Sequence, residues 1–329
     1  MASLNTASSR SHSSFKVTVL GGAGFLLVAM LSACGGGGGD KEPAASPTNY
    51  TGADSSGRVA YTWGFDNGAN VAPGRTFLPT PGAEAVRTLT TCISTSTTCQ
   101  VQEVAGKVGT ALHFDPSVEQ SYAWLAGGSS TSICSGNVLQ FNPFGYFNAA
   151  GRADSRMTVA MWVRADKIDA TSVYHLFGTQ EPPAEGRDGS FHVRLIDGKP
   201  TLSMYPDSAF GWDPDFVVQA PSAISAGEWH HIAVTYNDIH AMVYVDGLVV
   251  AQADRQQPDD KVKRSAINES CLPYFLGGIT TYGFTSGTTA ALKSKTGQGY
   301  VFPGAIDELV FSNRTFDGNE ILKLAGKGG

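Results

Sequence analysis

Residues 229–253 read WHHIAVTYNDIHAMVYVDGLVVAQA, and the two ways of reading them lead to different proteins. Taken as a set of ligands, His230, His231 and the nearby Asp238 would make a metal or acid–base site. Taken as backbone, the same letters form successive runs rich in Val, Ile, Tyr and Trp, the period-two signature of strands. Asp246-Gly247, between the last two runs, is a two-residue signal for a type I′ hairpin, whose central positions both need left-handed backbone. The strand reading also decides the chemistry. Successive side chains of a strand point to opposite faces. His230 then shares a face with Ile232, Val234 and Tyr236, while His231 shares one with Trp229, Ala233 and Thr235. One metal ion cannot be held by both, and the pair is expected to be two strand histidines satisfied by hydrogen bonds.

The same pattern recurs outward in both directions. Strands are expected at 58–65, 111–114, 157–165, 173–179, 190–196, 200–205, 229–237, 240–246, 248–253, 274–279 and 305–312. Asp197-Gly198 marks a second two-residue hairpin, so the pairing is antiparallel. Only the tail departs: in FDGNEILKL, Asp317 stands as an N-cap, Glu320 lies three residues on as in a capping box, and Gly326 can end the turn. Many hairpin-linked strands with one short C-terminal helix imply an all-β sandwich of two packed antiparallel sheets.

The N-terminal end is read as targeting rather than fold. Arg10 and Lys16 precede the apolar stretch VTVLGGAGFLLVAMLSA, which closes on Leu31-Ser32-Ala33-Cys34. That ending resembles a bacterial lipobox, which implies a signal peptide over 1–33 and a lipidated Cys34. Gly35 in place of Asp then favours the outer membrane, with contact to the bilayer through the anchor alone. Residues 34–57 are Gly, Ser, Pro and Ala with few apolar side chains, the composition of a flexible tether. The formal charge of −6 becomes −8 once Arg10 and Lys16 are removed. With no basic cluster beyond DDKVKR, nucleic acid is not an expected partner. Apart from Cys34, four cysteines remain, an even number in an exported chain, which suggests two disulfides. Of the three possible pairings, the short Thr/Ser-rich spacing favours Cys92 with Cys99, leaving Cys134 with Cys271. The longer link would contribute roughly 4 to 5 kcal/mol by chain entropy.

Taken together, MTVAMWVRA, GEWHHIAVTYN, VYVDGLVVA and FPGAIDELVFSNRTFDGNEIL, preceded by YTWGFDNG and GKVGTALHFD, resemble the laminin G-like, concanavalin A-like jelly-roll family over residues 58–329. Large stretches at 73–105 and 116–152 stand outside the compact family pattern as insertions. The resemblance implies a jelly-roll fold and a structural calcium ion where the first and last strands meet, at Asp66 and Asp307. Hard cations of this kind take several oxygen ligands, carboxylates and carbonyls mixed. Asp66 in DNG also reads simply as a turn residue.

Glycosidases on this fold need two carboxylates about 5 to 9.5 Å apart. The laminarinase-type Glu-x-Asp-x-x-Glu is missing, since AIDELVF has Ala305 where its first Glu would stand. An acidic, aromatic loop, YPDSAFGWDPDF, offers Tyr205, Asp207, Trp212, Asp213 and Asp215 as stacking and hydroxyl-binding groups, as acids that bind calcium at a loop tip, or as an inward-packed loop with solvated acids. The aromatic run QFNPFGYFN at 140–148 and Trp124 invite the same choice between groove and core. The expectation is a lipid-anchored, non-catalytic module that binds a carbohydrate or an extracellular protein. A divergent glycoside hydrolase or polysaccharide lyase and a structural envelope component are the other classes.

Overall fold

The computed structural model describes residues 52–53, 59–71, 74–80, 89–91, 101–118, 121–125, 156–179, 191–204, 216–237, 240–254, 274–278, 300–312 and 314–327. Within them, two antiparallel sheets pack face to face. The first is ordered β1 (Gly52–Ala53), β2 (Val59–Trp63), β18 (Gly304–Ser312), β9 (Arg156–Ala165), β14 (His230–Asn237), β15 (His240–Val245) and β16 (Leu248–Asp254). A short pair, β6 (Gln102–Ala105) and β7 (Thr110–Phe114), joins it along β18. The second is ordered β13 (Phe216–Gln219), β12 (Lys199–Met204), β11 (Phe191–Ile196), β10 (Val173–Thr179), β17 (Tyr274–Leu276), β8 (Ala123–Leu125), β5 (Leu89–Thr91), β4 (Gly74–Phe77) and β3 (Ala69–Val71). The result is a jelly-roll sandwich.

Every run expected as a strand is one, with ends displaced by a few residues. The segment 73–105, expected to be an insertion, instead supplies β4, β5 and β6. These strands are three or four residues long, and β6 is exposed at three of its four positions. Such short runs give too few alternating apolar positions to be seen as strands. Both hairpin turns follow the sequence signal: φ is +53° and +74° at Asp197-Gly198, and +51° and +85° at Asp246-Gly247.

Alternation builds the core. Met157, Val159, Met161 and Val163 of β9, with Ile232, Val234 and Tyr236 of β14, point inward from the first sheet, and Phe191, Val193 and Leu195 of β11 meet them from the second. Phe311 of β18 is the bridge between layers, edge-on to Phe177 and Tyr274 with centroids 5.1 Å away in each case. Aromatic pairs at such spacings add about 0.5–1.5 kcal/mol beyond their buried area.

The helix, α1 (Gly318–Leu324), covers the outer face of the first sheet. It begins at Asp317, whose side chain accepts the Glu320 amide while Glu320 returns a bond to the Asp317 amide. Beneath it, Val310, Ala160, Ala233 and Tyr244 lie in register across four strands. Two alanines in that row leave the depression into which Phe316, Ile321 and Leu324 pack. Among the described residues, no helix is long and apolar enough to cross a membrane.

Candidate functional site

The histidine pair lies on a regular strand and diverges as the pleat requires. His231 is buried, pairs in register with Trp162 and meets its ring edge-on at 5.3 Å. Burial pushes its imidazole down to about 3, so it is neutral. His230 instead bonds Asp246 through Nδ1 at 3.0 Å and Ser225 through Nε2 at 2.7 Å. The other Asp246 oxygen accepts the His231 amide. Burial opposes the ionised Asp246, but these two contacts outweigh it and hold its carboxyl below the usual range. The pair therefore anchors the hairpin turn that follows it.

Adjacent side chains do converge elsewhere in the same sheet. Strand β18 pairs with β7 over Gly304–Ile306 and with β2 over Leu309–Ser312, and its register against β9 shifts between Asp307 and Val310. At this bulge Glu308 has φ +49°, a left-handed conformation that brings an extra residue into the strand and bends it. Asp307 and Glu308 are both buried, at 0% and 4% exposure. Asp66, one residue beyond the left-handed Phe65, approaches from the end of β2. A Cβ added to Gly64 would stand 2.9 Å from Glu308 Oε1 and 3.8 Å from Asp66 Oδ2, which places both carboxylates around one point.

The turn between β6 and β7 closes the cluster with backbone amides. Val108 N donates to Asp307 Oδ2 at 2.9 Å, Glu308 N to Asp307 Oδ1 at 2.8 Å, and Thr110 N to Asp66 Oδ1 at 2.7 Å. Gly109 in this turn has φ +52°, and a Cβ there would lie 2.2 Å from Asp66 Oδ1, so only glycine fits. Burial nonetheless dominates: it pushes Asp307 up to about 7 against the pull of the amides, with the Asp66 charge adding to it. Glu308 is also raised to about 7, by burial and then by the charges of Asp307 and Asp66. Asp66 and Asp307, singled out in the sequence, are thus brought to one place. Glu308 was missed because strict alternation assigns it to the opposite face. Among the described residues, no three His, Cys, Asp or Glu side chains form a group gathered for a metal ion.

A second arrangement occupies the outer face of the second sheet. Register places Ser203, His192, Gly178, Phe275 and Trp124 side by side across five strands. The neighbouring row runs Gln219, Thr201, Arg194 and His175. The two imidazoles stand 5.6 Å apart, and Phe275 meets Tyr122 edge-on at 5.6 Å. Trp124, left open between groove and core, belongs to this face with Tyr122 and Phe275. Burial holds both imidazoles neutral, helped by the Arg194 charge; His175 is lowered to about 3 and His192 well below its ordinary value. Sequence reading missed this face because its polar residues come from strands distant in the chain.

Cys34, Cys92, Cys99, Cys134 and Cys271 lie outside the described residues, as do Tyr205, Asp207, Trp212, Asp213, Asp215 and the run 140–148.

The sequence profile of the concanavalin A-like lectin/glucanases superfamily matches residues 143–268. No curated protein matches the chain. Among solved structures, the binding domain of botulinum neurotoxin serotype C1 superposes with a TM-score of 0.50 at 12% identity, over 82% of this chain and 51% of that one. Domain 4 of AbnA, a GH43 extracellular arabinanase from Geobacillus stearothermophilus solved with arabinotriose, gives 0.48 at 17% identity, over 80% and 97%. A Trypanosoma rangeli sialidase gives 0.47 at 12%, over 83% and 33%. The chain thus spans about half of the toxin chain and a third of the sialidase. At these identities the likeness is one of fold.

The acidic cluster has a testable pH signature. A carboxyl raised in the folded state contributes stability that is full below its ordinary value and is lost as pH climbs through the folded value. For Asp307 and Glu308 that window runs from about 4 to about 7. The buried His175, His192 and His231 act oppositely, since lowered imidazoles favour the fold as pH rises toward 6.5. The acids are therefore read as a difference: in urea unfolding, the double substitution Asp307→Asn, Glu308→Gln gains stability relative to wild type between pH 4.5 and 7.5. A difference independent of pH would show that the two carboxyls are not raised.

Proposed function

We propose that the chain is a non-catalytic carbohydrate-binding module, carried at the outer membrane by acyl chains on Cys34. The observation that carries this reading is the composition of the outer face of its second sheet. There Trp124 and Gln219 reach solvent over a buried layer of Phe275, Tyr122, Ser203, Thr201, His175 and His192. Ligand sites of this kind combine apolar walls with a few placed polar groups. Among the described residues, none of the nine strands of the sheet carries an Asp or Glu. Glycoside hydrolysis by either common route requires two carboxylates flanking the bond, and these strands supply neither.

In detergent, the full chain is expected to bind a subset of immobilised glycans and to release no reducing ends from them. Turnover abolished by neutralising one carboxylate would overturn the non-catalytic reading.

Calcium remains a proposal attached to the first sheet. Asp66 and Asp307 are the side chains that would hold the ion, with Glu308 beside them; carboxylates are hard oxygen donors, and Asp307 and Glu308 are buried and raised. Among the described residues, no ion pair involves any of them. The ion would neutralise that charge and tie β2 to β18. Calcium is expected to raise Tm and the chelator EGTA to reverse it, with the rise lost in Asp66→Asn; an unchanged Tm across millimolar calcium would exclude the site.

The anchor has its own test. A palmitate analogue fed to the producing bacterium should label wild type and leave Cys34→Ala unlabelled, and label retained by the variant would remove the lipid from the proposal.

A further inference from the structure

Of the large apolar side chains described, Leu248 is the most exposed, at 63%, and its neighbour Val249 stands at 49%. They follow the Asp246-Gly247 turn and open β16, the last strand of the first sheet. Both central residues of that turn are left-handed, so the chain reverses tightly and the two side chains stand at a corner of the sandwich. Half-buried Leu322 of α1 extends the apolar surface, since a Cβ added to Gly247 would lie 2.8 Å from its Cδ1.

Cations frame this corner. Lys323 and Lys327 are exposed at the end of α1, and Lys327 is close enough for its charge to act on Asp246 and His231. Further along the same outer face, Arg164 lies over the Trp229 ring at 5.1 Å and Lys107 over the Trp162 ring at 4.5 Å. The nearby acids are engaged: Asp246 by His230 and the His231 amide, Glu228 by Ser225, and Asp166 by His113. Lys107, Arg164, Lys323 and Lys327 form no ion pair with a described residue.

In a chain of formal charge −6, unpaired cations beside exposed apolar side chains complement a surface that is anionic outside and apolar within. Trp rings and the long stems of Lys and Arg suit the boundary between water and lipid. Basic groups there are drawn to anionic headgroups. Connectivity points the same way: β1 begins at Gly52 and pairs with β2, so the chain leading from Cys34 enters the domain through the first sheet. The acyl anchor proposed above would hold this layer at a high effective concentration beside lipid, where a contact too weak to retain the protein by itself still orients it.

We infer that the outer face of the first sheet docks on an anionic lipid surface: Leu248 and Val249 enter the headgroup layer, while Lys323, Lys327, Arg164 and Lys107 meet lipid phosphates. The outer face of the second sheet is then turned away from the bilayer. This adds an orientation to the function proposed above and does not need the glycan reading to hold.

The test reconstitutes the full chain in nanodiscs of phosphatidylcholine, with or without phosphatidylglycerol, and follows amide hydrogen exchange by mass spectrometry. With phosphatidylglycerol, peptides covering 226–230 and 246–250 exchange roughly fivefold more slowly than in phosphatidylcholine alone, as one or two cations at an anionic surface would produce. Peptides covering 200–204 do not change. Leu248→Ser with Val249→Ser, and separately Lys323→Gln with Lys327→Gln, remove most of that slowing, and unaltered exchange at 157–163 shows that each variant keeps its core. Slowing that survives both pairs of substitutions, equal exchange in the two lipids, or a chain found on neither nanodisc would overturn the docking. The same slowing in the lipid-free chain as its concentration rises would make the occupant a second copy and overturn the lipid, and slowing at 200–204 instead would put the wrong sheet on the bilayer. Absent glycan binding with the lipid effect intact would strike the glycan reading alone.

Discussion

Strand β18 has a single partner along one edge and two along the other, and the sandwich is organised around that split. On one side β9 accompanies it from Gly304 to Ser312; on the other, β7 gives way to β2. Where one neighbour ends and the next begins, ladder hydrogen bonds are interrupted inside a strand buried at all nine positions. Buried amides must still find acceptors. The carboxylate of Asp307 takes the amides of Val108 and Glu308, so a side chain replaces the missing ladder. The cost is an acid held out of water, with a second acid brought beside it by the bulge.

The same strand carries Phe311 into the middle of the aromatic cluster with Phe177, Phe191 and Tyr274. Only Leu309 and Val310 thus separate the acidic cluster from the contact that joins the two sheets. Interiors are close-packed and transmit strain, so neutralising the acids, by proton or by cation, acts on the element that holds the layers together. The chemistry of the first sheet is in this sense structural.

The second sheet has the opposite character. Its inner face is apolar, while its outer face carries neutral imidazoles, a guanidinium, hydroxyls and aromatic rings with no described acid. Arg194 itself helps keep His175 and His192 unprotonated, so the imidazoles offer lone pairs rather than charge. The two sheets differ accordingly: one carries the buried acids and the helix, and the outer face of the other carries buried imidazoles, hydroxyls and aromatic rings.

The sequence by itself determined the parts that depend on local rules. Alternation located the long strands, Asp-Gly located two hairpins, and Asp317 with Glu320 located the helix start, because each signal lies within a few residues of its effect. It also separated His230 from His231, since β14 is regular. The alternation argument failed at Asp307-Glu308, where one left-handed residue brings both carboxylates to one place, and no local letter announces that turn of the chain. Short strands such as β5 and β6 were invisible because three or four residues cannot display a period. The outer face of the second sheet was decided by tertiary structure alone: Ser203, His192, Gly178, Phe275 and Trp124 become neighbours only through strand register, which is set by pairing between segments far apart in the chain.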